Sequence, residues 1–416
     1  MDAIIMQVTE ALESNIALMY KSVFIGETSC ILKKMGYNVK ICDTIIENYT
    51  LKEISKLFCL CPELLVFIAD VQQARLTKRV AELCKLCCPT CKIIVIGRAT
   101  SFIPQYFARK PFDAVHIKGD REAAIINYVK FLHNKIRKDD LANLCIIENN
   151  EIYISSKTQW LNSKDWSTPD LSDMNIEAYK KFNQKQNPNK KLILGITSMK
   201  GCPYGCEYCG ASTEEGISIR YGNVNNIINW ANSNTLDAII QLWAPNILCN
   251  EKWLKKYINI YEKTNSNFSW RGVARLESIN EEKIKTIYNH NCKEISIGIE
   301  MIKQSTHLSL KGNEIKIYEA IELFSKYKIN LKCLLMLGYP GYDINDVIYT
   351  INLLNKNDIK YRITGYTPLQ NLKTMTAYEL DNMMLENYDR RFYYNNCQID
   401  SNLYYKILST NGECLL

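Results

Sequence analysis

The 416-residue chain lacks the segments that would hold it in a membrane or direct it across one. No apolar run approaches the roughly 18–20 residues that a membrane span needs. The first residues, Met1-Asp2-Ala3-Ile4, lack the basic start and apolar stretch of a signal peptide. The sequence therefore predicts a cytoplasmic protein without a membrane partner.

The sequence also lacks a concentrated basic region. Its 51 Lys and Arg residues are nearly balanced by 44 Asp and Glu residues, and no block of five or six basic residues occurs. Because dedicated nucleic-acid binders usually gather their basic residues into a stripe, we expect no nucleic-acid partner. Hydrophobic residues at 47% and charged residues at 23% exclude a disordered or fibrous chain and allow two or three globular domains.

Cysteine, in contrast, is frequent, with 17 residues. The odd number, the chain length and the missing secretion signal argue against a disulfide framework, so we expect reduced thiols. Cys84, Cys87, Cys88 and Cys91 have a spacing that metal sites also use. However, they run from the end of a predicted helix into the next strand, which favours thiols that pack this joint. Cys59 and Cys61 are interpreted in the same way.

The first 135 residues or so alternate short apolar strands with helices. The predicted strands cover residues 3–8, 38–42, 64–69, 92–97 and 114–117. The predicted helices cover residues 23–35, 51–58, 74–86, 102–109 and 121–134. Five successive β-α units indicate a doubly wound parallel sheet with ligands at the carboxyl ends of its strands.

From residue 191 a second series of β-α units begins. Its predicted strands cover residues 192–197, 238–243, 268–272, 294–299, 331–337 and 361–364. Six units predict a partial barrel, since a complete eight-fold barrel needs about 250 residues. Residues 144–155 predict a hairpin with Asn149-Asn150 as its turn, and the polar stretches at 163–170 and 187–190 predict a linker.

One motif is specific enough to indicate chemistry. Directly after the first barrel strand, Cys202, Cys206 and Cys209 form a C-x3-C-x2-C pattern. Four-iron clusters are normally held by four thiolates, so three thiolates leave one iron open to chelate a small molecule. A structural zinc loop and three core cysteines are the alternatives. Zinc favours four ligands, however, and no nearby residue completes such a set.

This region, about residues 191–372, resembles the radical S-adenosylmethionine (SAM) superfamily. Tyr208 stands at the aromatic position that lies against adenine in the family. The segment ending at Glu300 resembles the fourth-strand motif whose carboxylate contacts the ribose, and residues 337–341 resemble the turn that approaches the adenosyl group. The resemblance implies that a [4Fe-4S] cluster is held by the three cysteines. The SAM contacts that it implies are Tyr208, Trp243, Gly298, Glu300, Gly338 and Pro340. At the second strand, residues 241–246 depart from the usual Gly- and Glu-rich pattern.

The N-terminal region resembles the cobalamin-binding domain that many radical SAM enzymes carry. Residues 93–100 and 113–122 stand where that domain has its two glycine-containing turns. The resemblance implies cobalamin contacts at the carboxyl ends of the strands, from Gln72, Gly97, Thr100, Gly119 and Glu122. The histidine motif Asp-x-His-x-x-Gly is missing, and we interpret His116 as a strand residue. A scaffold that has lost its ligand is the alternative.

These resemblances predict an α/β protein in four parts. Residues 1–140 form a doubly wound, Rossmann-like domain, and residues 141–190 form a hairpin and linker. Residues 191–370 form a partial (β/α)6 barrel, and residues 371–416 form an extension. The family chemistry implies reductive cleavage of SAM to a 5′-deoxyadenosyl radical, with flavodoxin or ferredoxin as an electron donor.

Three functions remain open at this point. The first is a cobalamin-dependent methyltransferase acting on an unactivated carbon, and the second is a radical cyclase, rearrangement or epimerising enzyme without a methyl-carrying cobalamin. The third is a non-catalytic iron–sulfur or nucleotide sensor. Only Cys397 and Cys414 follow the barrel, which disfavours a C-terminal auxiliary-cluster domain. We therefore expect a metabolite, a natural-product intermediate or a peptide as substrate. Trp243, Arg271 and Arg275 are candidate pocket residues, with surface salt bridges as the alternative for the two arginines.

Overall fold

The computed structural model describes residues 2–8, 16–44, 46–149, 151–184, 189, 191–234, 238–383, 385 and 399–415. They divide into two compact units. The first unit takes its described residues from Met1–Asn223 and Pro368–Tyr388, and the second takes them from Val224–Thr367 and Asp389–Leu416. Each unit contains a parallel sheet with helices, which confirms the α/β class. The predicted four-part division remains a prediction.

The first unit contains a seven-stranded sheet. Its strands are β1 (Ala3–Gln7), β2 (Val39–Asp43), β3 (Leu64–Ile68), β4 (Lys92–Ile96), β5 (Ala114–His116), β6 (Leu144–Glu148) and β7 (Glu151–Ile154). They lie in the order β2-β1-β3-β4-β5-β6-β7. The first five are parallel, and β6 and β7 add an antiparallel hairpin at one side. The doubly wound sheet and the hairpin are both as predicted; of the predicted turn, Asn150 lies outside the described residues.

Helices cover both faces of this sheet. They are α1 (Ile16–Lys34), α2 (Leu51–Phe58), α3 (Ala74–Cys87), α4 (Arg98–Phe102), α5 (Pro104–Phe107) and α6 (Arg121–Leu132). Every residue of β1 and β3 is buried, because a parallel sheet covered on two sides has no face in water. Ile4 and Met6 enter one core cluster, and Ala3 and Ile5 enter the other.

One helix prediction is wrong in its bounds. Residues 102–109 were expected to form one helix, but α4 ends at Phe102 and α5 begins at Pro104. Ile103 between them has φ −130° and ψ 49°. A proline disfavours the helical conformation of the residue before it and has no N–H to continue the ladder. The chain therefore breaks at Ile103.

The rest of the first unit includes the region around the cysteine motif. It contains α7 (Ile176–Gln184), β8 (Leu192–Thr197), β9 (Met199–Lys200), α8 (Ala211–Glu215) and β10 (Arg220–Tyr221). Strands β9 and β10 form an antiparallel pair in which Lys200 lies opposite Arg220. Within the predicted linker, Trp166 is buried, and residues 187, 188 and 190 lie outside the described residues.

The second unit repeats strand and helix in alternation. It contains α9 (Val224–Ser233), β11 (Ala238–Trp243), α10 (Glu251–Lys263), β12 (Ser269–Ala274), α11 (Glu281–Asn289) and β13 (Cys292–Glu300). Three two-residue strands follow, β14 (Ile302–Lys303), β15 (Leu308–Ser309) and β16 (Gly312–Asn313). The series continues with α12 (Glu314–Lys326), β17 (Asn330–Leu337), α13 (Ile344–Lys356) and β18 (Lys360–Gly365). Strands β18, β17, β13, β12 and β11 are neighbours in that order and all parallel, so every barrel strand predicted in this unit is present.

In the described part of the chain after the last strand there are two α-helices. Helix α14 (Ala377–Asp381) lies in the first unit, and α15 (Ser401–Thr410) lies in the second. Asn411, at the end of α15, accepts a hydrogen bond from the Ile363 N–H of β18 at 2.8 Å and donates one to the Tyr361 carbonyl at 3.2 Å. Among the described residues, no helix is both long and apolar enough to cross a bilayer.

Candidate active site

The cysteine loop begins directly after β9, and backbone contacts fix the conformation of its first residues. The Cys202 N–H donates to the Gly216 carbonyl at 2.9 Å, and the Gly201 N–H donates to the Glu215 carboxylate at 3.2 Å. Gly201 has φ +84°, and a Cβ there would lie 2.1 Å from the Ser218 carbonyl oxygen. Only glycine satisfies both the left-handed conformation and this close approach. The entry to the loop is therefore specific to glycine.

The three thiols of the motif lie on one loop and are similarly exposed. Cys202, Cys206 and Cys209 are all half-buried, and the Cys209 N–H donates to the Cys206 carbonyl at 3.0 Å. No set of three or more His, Cys, Asp or Glu side chains in the described ranges is arranged around one metal ion. In a four-iron cluster each thiolate binds a different iron, so its ligands need not converge on one point. Three accessible thiols on one loop fit this donor set.

A buried ion pair connects the strand before the cysteines to the N-terminal sheet. Lys200 is only 1% exposed, and its ammonium contacts the carboxylate of Glu122 in the first turn of α6. It also lies 4.8 Å from the centre of the Trp166 ring. Burial by itself would raise the pKa of Glu122, but Lys200 and Arg121 lower it to about 2. A buried lysine is tolerated only with such partners.

Two further buried pairs surround the first. Arg220 of β10 donates to both carboxylate oxygens of Asp120, at 2.5 and 2.9 Å. Arg121 donates to Glu27 of α1 at 2.6 Å, and the Thr197 hydroxyl of β8 donates to the same carboxylate at 2.5 Å. The carboxyl ends of β5 and β8 are thus linked by pairs of opposite charge.

A small cavity of about 10 Å³ opens at this edge of the sheet. It is lined by Phe24, Gly97, Ser101, His116, Asp120, Arg121, Glu214 and Glu215. Gly97 follows β4 and His116 ends β5, so the cavity lies at the carboxyl ends of neighbouring strands, where doubly wound sheets bind ligands. Burial raises the pKa of Glu215 to about 7, even though Arg121 and Lys200 oppose the shift.

The five residues predicted to contact cobalamin differ in whether they line this cavity. Gly97 lines it, whereas the fully buried Thr100 donates its hydroxyl to the Gly97 carbonyl at 2.9 Å. A Cβ on Gly119 would meet the Asn143 amide at 2.4 Å. Glu122 is paired with Lys200, and Gln72 lies in a short 3-10 turn (Val71–Gln73) after β3. Of the five predicted contacts, Gly97 thus lines the cavity, while Thr100 and Glu122 make contacts within the protein.

His116 is the last residue of β5 and is buried, as its interpretation as a strand residue predicts. Its Nε2 lies 3.0 Å from the Gly119 carbonyl and its Nδ1 lies 3.4 Å from the Thr100 hydroxyl. Burial lowers its pKa to about 4. The imidazole is therefore neutral at physiological pH.

Most residues predicted to contact SAM lie at the carboxyl ends of strands in the second unit. Trp243 ends β11 and Glu300 ends β13. Gly298 lies within β13, where a Cβ would be 2.9 Å from the Glu300 carboxylate. Gly338, with φ +86°, follows β17 and precedes the turn that contains Pro340. Tyr208 belongs to the cysteine loop of the first unit.

Glu300 has an unusual backbone conformation for its residue type. Its φ is +61°, it is 9% exposed, and its carboxylate lies 3.3 Å from the Lys311 ammonium. A non-glycine residue with positive φ often marks a functional position. Lys311 follows in the same fourth-strand segment, but the sequence did not predict its contact with Glu300.

The two arginines considered for the substrate pocket both have carboxylate partners. Arg271 donates to Gln241 at 2.7 Å and to Glu294 at 3.2 Å within the sheet. Arg275 donates to Glu277 at 3.0 Å. The contacts of both arginines are therefore those of salt-bridge partners, the alternative that the sequence had left open.

The sequence did not identify Glu27, Lys200, Glu214 and Glu215 as parts of the site. One feature of the sequence could have indicated them, namely a charged residue within an apolar segment. Lys200 follows Met199 in a short strand, and Glu27 lies in a mostly apolar helix. Because buried charges require partners, such a residue predicts an ion pair. It does not predict which distant residue supplies the partner.

Comparison with known proteins identifies the class of this site. Residues 196–354 match the family model of the radical SAM superfamily. The match over this part of the chain to a radical SAM domain supports an enzyme.

Two curated relatives of the chain are named as methyltransferases. The chain is 21% identical over 360 residues to the uncharacterized methyltransferase PH0819 of Pyrococcus horikoshii, covering 84% of this chain and 76% of that protein. It is 22% identical over 205 residues to bacteriochlorophyllide d C-12(1)-methyltransferase of Chlorobaculum tepidum, covering 47% of this chain and 43% of that protein.

The solved structures share the fold over most of the chain. The radical SAM methyltransferase TsrM from Kitasatospora setae, solved with cobalamin and a [4Fe-4S] cluster, has a TM-score of 0.68 at 12% identity, over 89% of this chain and 77% of that one. The cobalamin-dependent radical enzyme OxsB, solved with aqua-cobalamin and SAM, has a TM-score of 0.66 at 16% identity. That match covers 99% of this chain and 60% of OxsB. The protein is thus similar to cobalamin-dependent radical SAM methyltransferases.

Proposed function

We propose that the protein is a cobalamin-dependent radical SAM methyltransferase that acts on an unactivated carbon of a metabolite or natural-product intermediate. The observation that carries the proposal lies within the first unit. There, the loop with Cys202, Cys206 and Cys209 is joined by the buried Lys200–Glu122 and Arg220–Asp120 pairs to a doubly wound sheet. A radical-generating loop and a corrinoid-type domain in one compact unit suit a shared reaction.

The cysteine loop is proposed to hold the cluster. A [4Fe-4S] cluster bound by Cys202, Cys206 and Cys209 would supply the electron that cleaves SAM to methionine and a 5′-deoxyadenosyl radical. The loop residues position this chemistry through the glycine-specific entry at Gly201. A flavodoxin or ferredoxin is the proposed electron donor, which together with the reduced thiols suits the cytoplasm.

The proposed SAM contacts follow the chemistry of each side chain. The Glu300 carboxylate accepts hydrogen bonds from the ribose hydroxyls, and its approach is held by Lys311. Tyr208 lies against the adenine, and the backbone of Gly338 and Pro340 approaches the adenosyl group. Trp243 and Gly298 complete the contacts. All six remain assignments by resemblance that single variants can test.

Cobalamin is proposed to enter at the carboxyl edge of the first sheet. When bound, it would supply a carrier for the methyl group that is transferred. The loop of Gly97 and Ser101, which borders the small cavity, is proposed to contact part of its nucleotide tail. Gln72 and Gly119 would border it, while Thr100 and Glu122 would support the loops from behind. The neutral His116 bonds within the protein, so we assign it no role as a cobalt ligand.

The decisive test is an assay of metal and corrinoid in protein purified without oxygen. We expect about four iron and four sulfide per chain after reconstitution, one extractable corrinoid, and a product heavier than the substrate by one methylene. Protein that binds iron and cleaves SAM but never retains corrinoid would overturn the methyltransferase proposal.

One observation favours a second candidate. Thr100 and Glu122 already have partners within the protein, and the cavity is lined by several ionisable side chains. A radical cyclase, rearrangement or epimerising enzyme that binds no corrinoid would not need these two side chains to be free for a cofactor. A product of unchanged mass would identify a rearrangement or epimerisation. Failure to cleave SAM at all would favour a sensor.

A further inference from the structure

The segment directly after β13 is bound to helix α13 by its backbone. The Ile302 N–H donates to the Thr350 hydroxyl at 3.0 Å, and the Gln304 N–H donates to the Asp346 carboxylate at 2.9 Å. Both acceptors lie in α13, which follows the turn that is proposed to approach the adenosyl group. Because β13 ends at Glu300, the chain that leaves the proposed ribose contact is fixed to the helix that leaves the proposed adenosyl contact.

Lys303, which lies between these two backbone donors, connects the same segment to the turn itself. Its ammonium donates to the Gly341 carbonyl at 2.5 Å and to the Asp346 carboxylate at 2.9 Å. It also lies 5.6 Å from the centre of the Tyr342 ring. Hydrogen bonds from a charged donor are stronger than those between neutral groups. Lys303 therefore fixes the peptide group at the end of the turn.

Asp346 holds the Lys303 ammonium in this place. Its side chain is buried, and it also accepts the Asp343 N–H at 3.1 Å as part of the capping box that begins α13. Burial would raise the pKa of Asp346, but the Gln304 N–H, Lys303 and the Asp343 N–H lower it below its ordinary value. The carboxylate is thus charged at neutral pH and is a lasting partner for the lysine.

The turn contains residues whose backbone is costly to order. Gly338 has φ +86° and Gly341 has φ +85°, and glycine loses more conformational freedom on ordering than any other residue. Within the turn, the Tyr342 N–H donates to the Tyr339 carbonyl at 3.3 Å. The space beside Gly341, where a Cβ would lie, is open to 4 Å. The Lys303 contact restricts this glycine from its carbonyl side.

We propose that Lys303 is a positioning residue for SAM, which fixes the Gly341 peptide relative to the segment of Glu300. This inference rests on the proposed function, in which Glu300 contacts the ribose and the turn approaches the adenosyl group. Because Lys303 orders the turn before SAM arrives, SAM binds with a smaller loss of conformational entropy. Lys303 acts through the backbone of the turn. The sequence analysis identified neither Lys303 nor its partner Asp346.

The Lys303 contact can be removed while the side chains assigned to SAM keep their own partners. The Glu300 carboxylate has a separate cation, since the Lys311 ammonium lies 3.3 Å from it. The side chain of Lys303 is 33% exposed, so its replacement opens no cavity in the core. In Lys303→Met, Asp346 still accepts two backbone N–H groups. We therefore expect this variant to fold.

The experiment uses the full chain, purified without oxygen and with its cluster reconstituted. Equilibrium dialysis with labelled SAM, without reductant, gives the Kd of SAM. Formation of 5′-deoxyadenosine with reductant gives KM and kcat. We expect Lys303→Met to raise Kd and KM about tenfold, the effect of losing one charged hydrogen bond, and to leave kcat at saturating SAM almost unchanged. Without SAM, the Tyr342 amide should exchange its hydrogen faster than in the unchanged protein.

Two further variants separate positioning from general stability. Lys303→Arg should recover most of the affinity for SAM, because a guanidinium can donate to both the carbonyl and the carboxylate. Lys326→Met is the matched control, since it removes an ammonium that pairs with Glu281 on a neighbouring helix. It should bind SAM like the unchanged protein.

The outcomes distinguish this inference from the proposed function on which it rests. Equal affinity of Lys303→Met and the unchanged protein for SAM would overturn the positioning role alone. A loss of kcat together with a lower melting temperature, without a change in Kd, would do the same. An unchanged protein that neither binds nor cleaves SAM would overturn the proposed function, and the inference with it.

Discussion

At the residue scale, the site depends on charged groups that are buried only because each has a partner. Lys200 is the clearest case, since a buried ammonium contacts Glu122, which lies 78 residues earlier in the sequence. The cluster ligands could be predicted from the sequence because the three cysteines are close together along the chain. The Lys200–Glu122 pair was not, because nothing local to either residue names its partner.

Replacing Lys200 by alanine should be strongly destabilising. The change leaves the Glu122 carboxylate buried with one cation fewer, and breaking such a pair typically costs about 3–5 kcal/mol. Lys255→Ala is the matched control, because its pair with Glu251 is exposed and such pairs contribute about 0–1 kcal/mol. The free energy of unfolding of both variants is measured by urea denaturation, monitored through a signal from the first unit. Equal effects of the two changes would contradict the role of the buried pair.

The glycine at the loop entry should be irreplaceable, unlike a second glycine in the same loop. In Gly201→Ala the new Cβ meets the Ser218 carbonyl oxygen at 2.1 Å in a left-handed backbone, whereas in Gly205→Ala it meets nothing within 4 Å. We expect a lower melting temperature and loss of most reconstituted iron for Gly201→Ala. Gly205→Ala should keep its melting temperature. The account is wrong at this point if both variants melt alike.

Glu215 should make stability depend on pH near neutrality. Its folded-state pKa of about 7 lies above the ordinary value of 4.5, so the folded protein favours the protonated carboxyl. That contribution is complete below pH 4.5 and is lost as pH rises through about 7. Glu215→Gln should therefore gain stability relative to the unchanged protein between pH 5 and pH 8, by up to about 3 kcal/mol. Thermal melts across this range provide the check, and a difference that does not vary with pH would refute the assignment.

At the element scale, the sequence predicted long, periodic elements well and short ones poorly. The parallel strands of the first sheet and the barrel strands of the second unit appear where apolar runs predict them. The break at Ile103 was missed because the flanking helices are both short, although Pro104 was a warning. Strands β14, β15 and β16 have two residues each, which is too short for any hydrophobic period to show. The contacts of α15 with β18 depend on tertiary structure and have no local signal.

The end of α15 should stabilise the edge strand through one side chain. Asn411 has φ +50°, a conformation in which glycine is usually preferred. Asn411→Gly nevertheless removes two hydrogen bonds to β18 and should cost about 1–2 kcal/mol. Asn265→Gly is the matched control, because Asn265 has φ +49° at the end of α10 and is exposed. It should be neutral or slightly stabilising. Hydrogen exchange of β18 amides measures the effect, and unchanged protection in Asn411→Gly would contradict it.

At the scale of the whole molecule, the sequence predicted the class of enzyme because the cysteine loop, the Glu300 segment and the turn at Gly338 occur in order along one chain. It did not predict that the described residues of the cysteine loop belong to the same compact unit as the N-terminal sheet. That grouping results from the Lys200, Arg220 and Glu27 contacts. It explains why the proposed function couples a radical source to a corrinoid-type domain.

The central claim is that the loop of Cys202, Cys206 and Cys209 holds the cluster that cleaves SAM. The most direct measurement compares Cys206→Ala with Cys249→Ala, which removes another half-buried cysteine, after identical anaerobic reconstitution. Iron content and 5′-deoxyadenosine formed under reducing conditions are recorded for each. We predict that Cys206→Ala loses bound iron and forms no 5′-deoxyadenosine, while Cys249→Ala keeps both. A Cys206→Ala protein that retains its iron and still cleaves SAM would contradict the account.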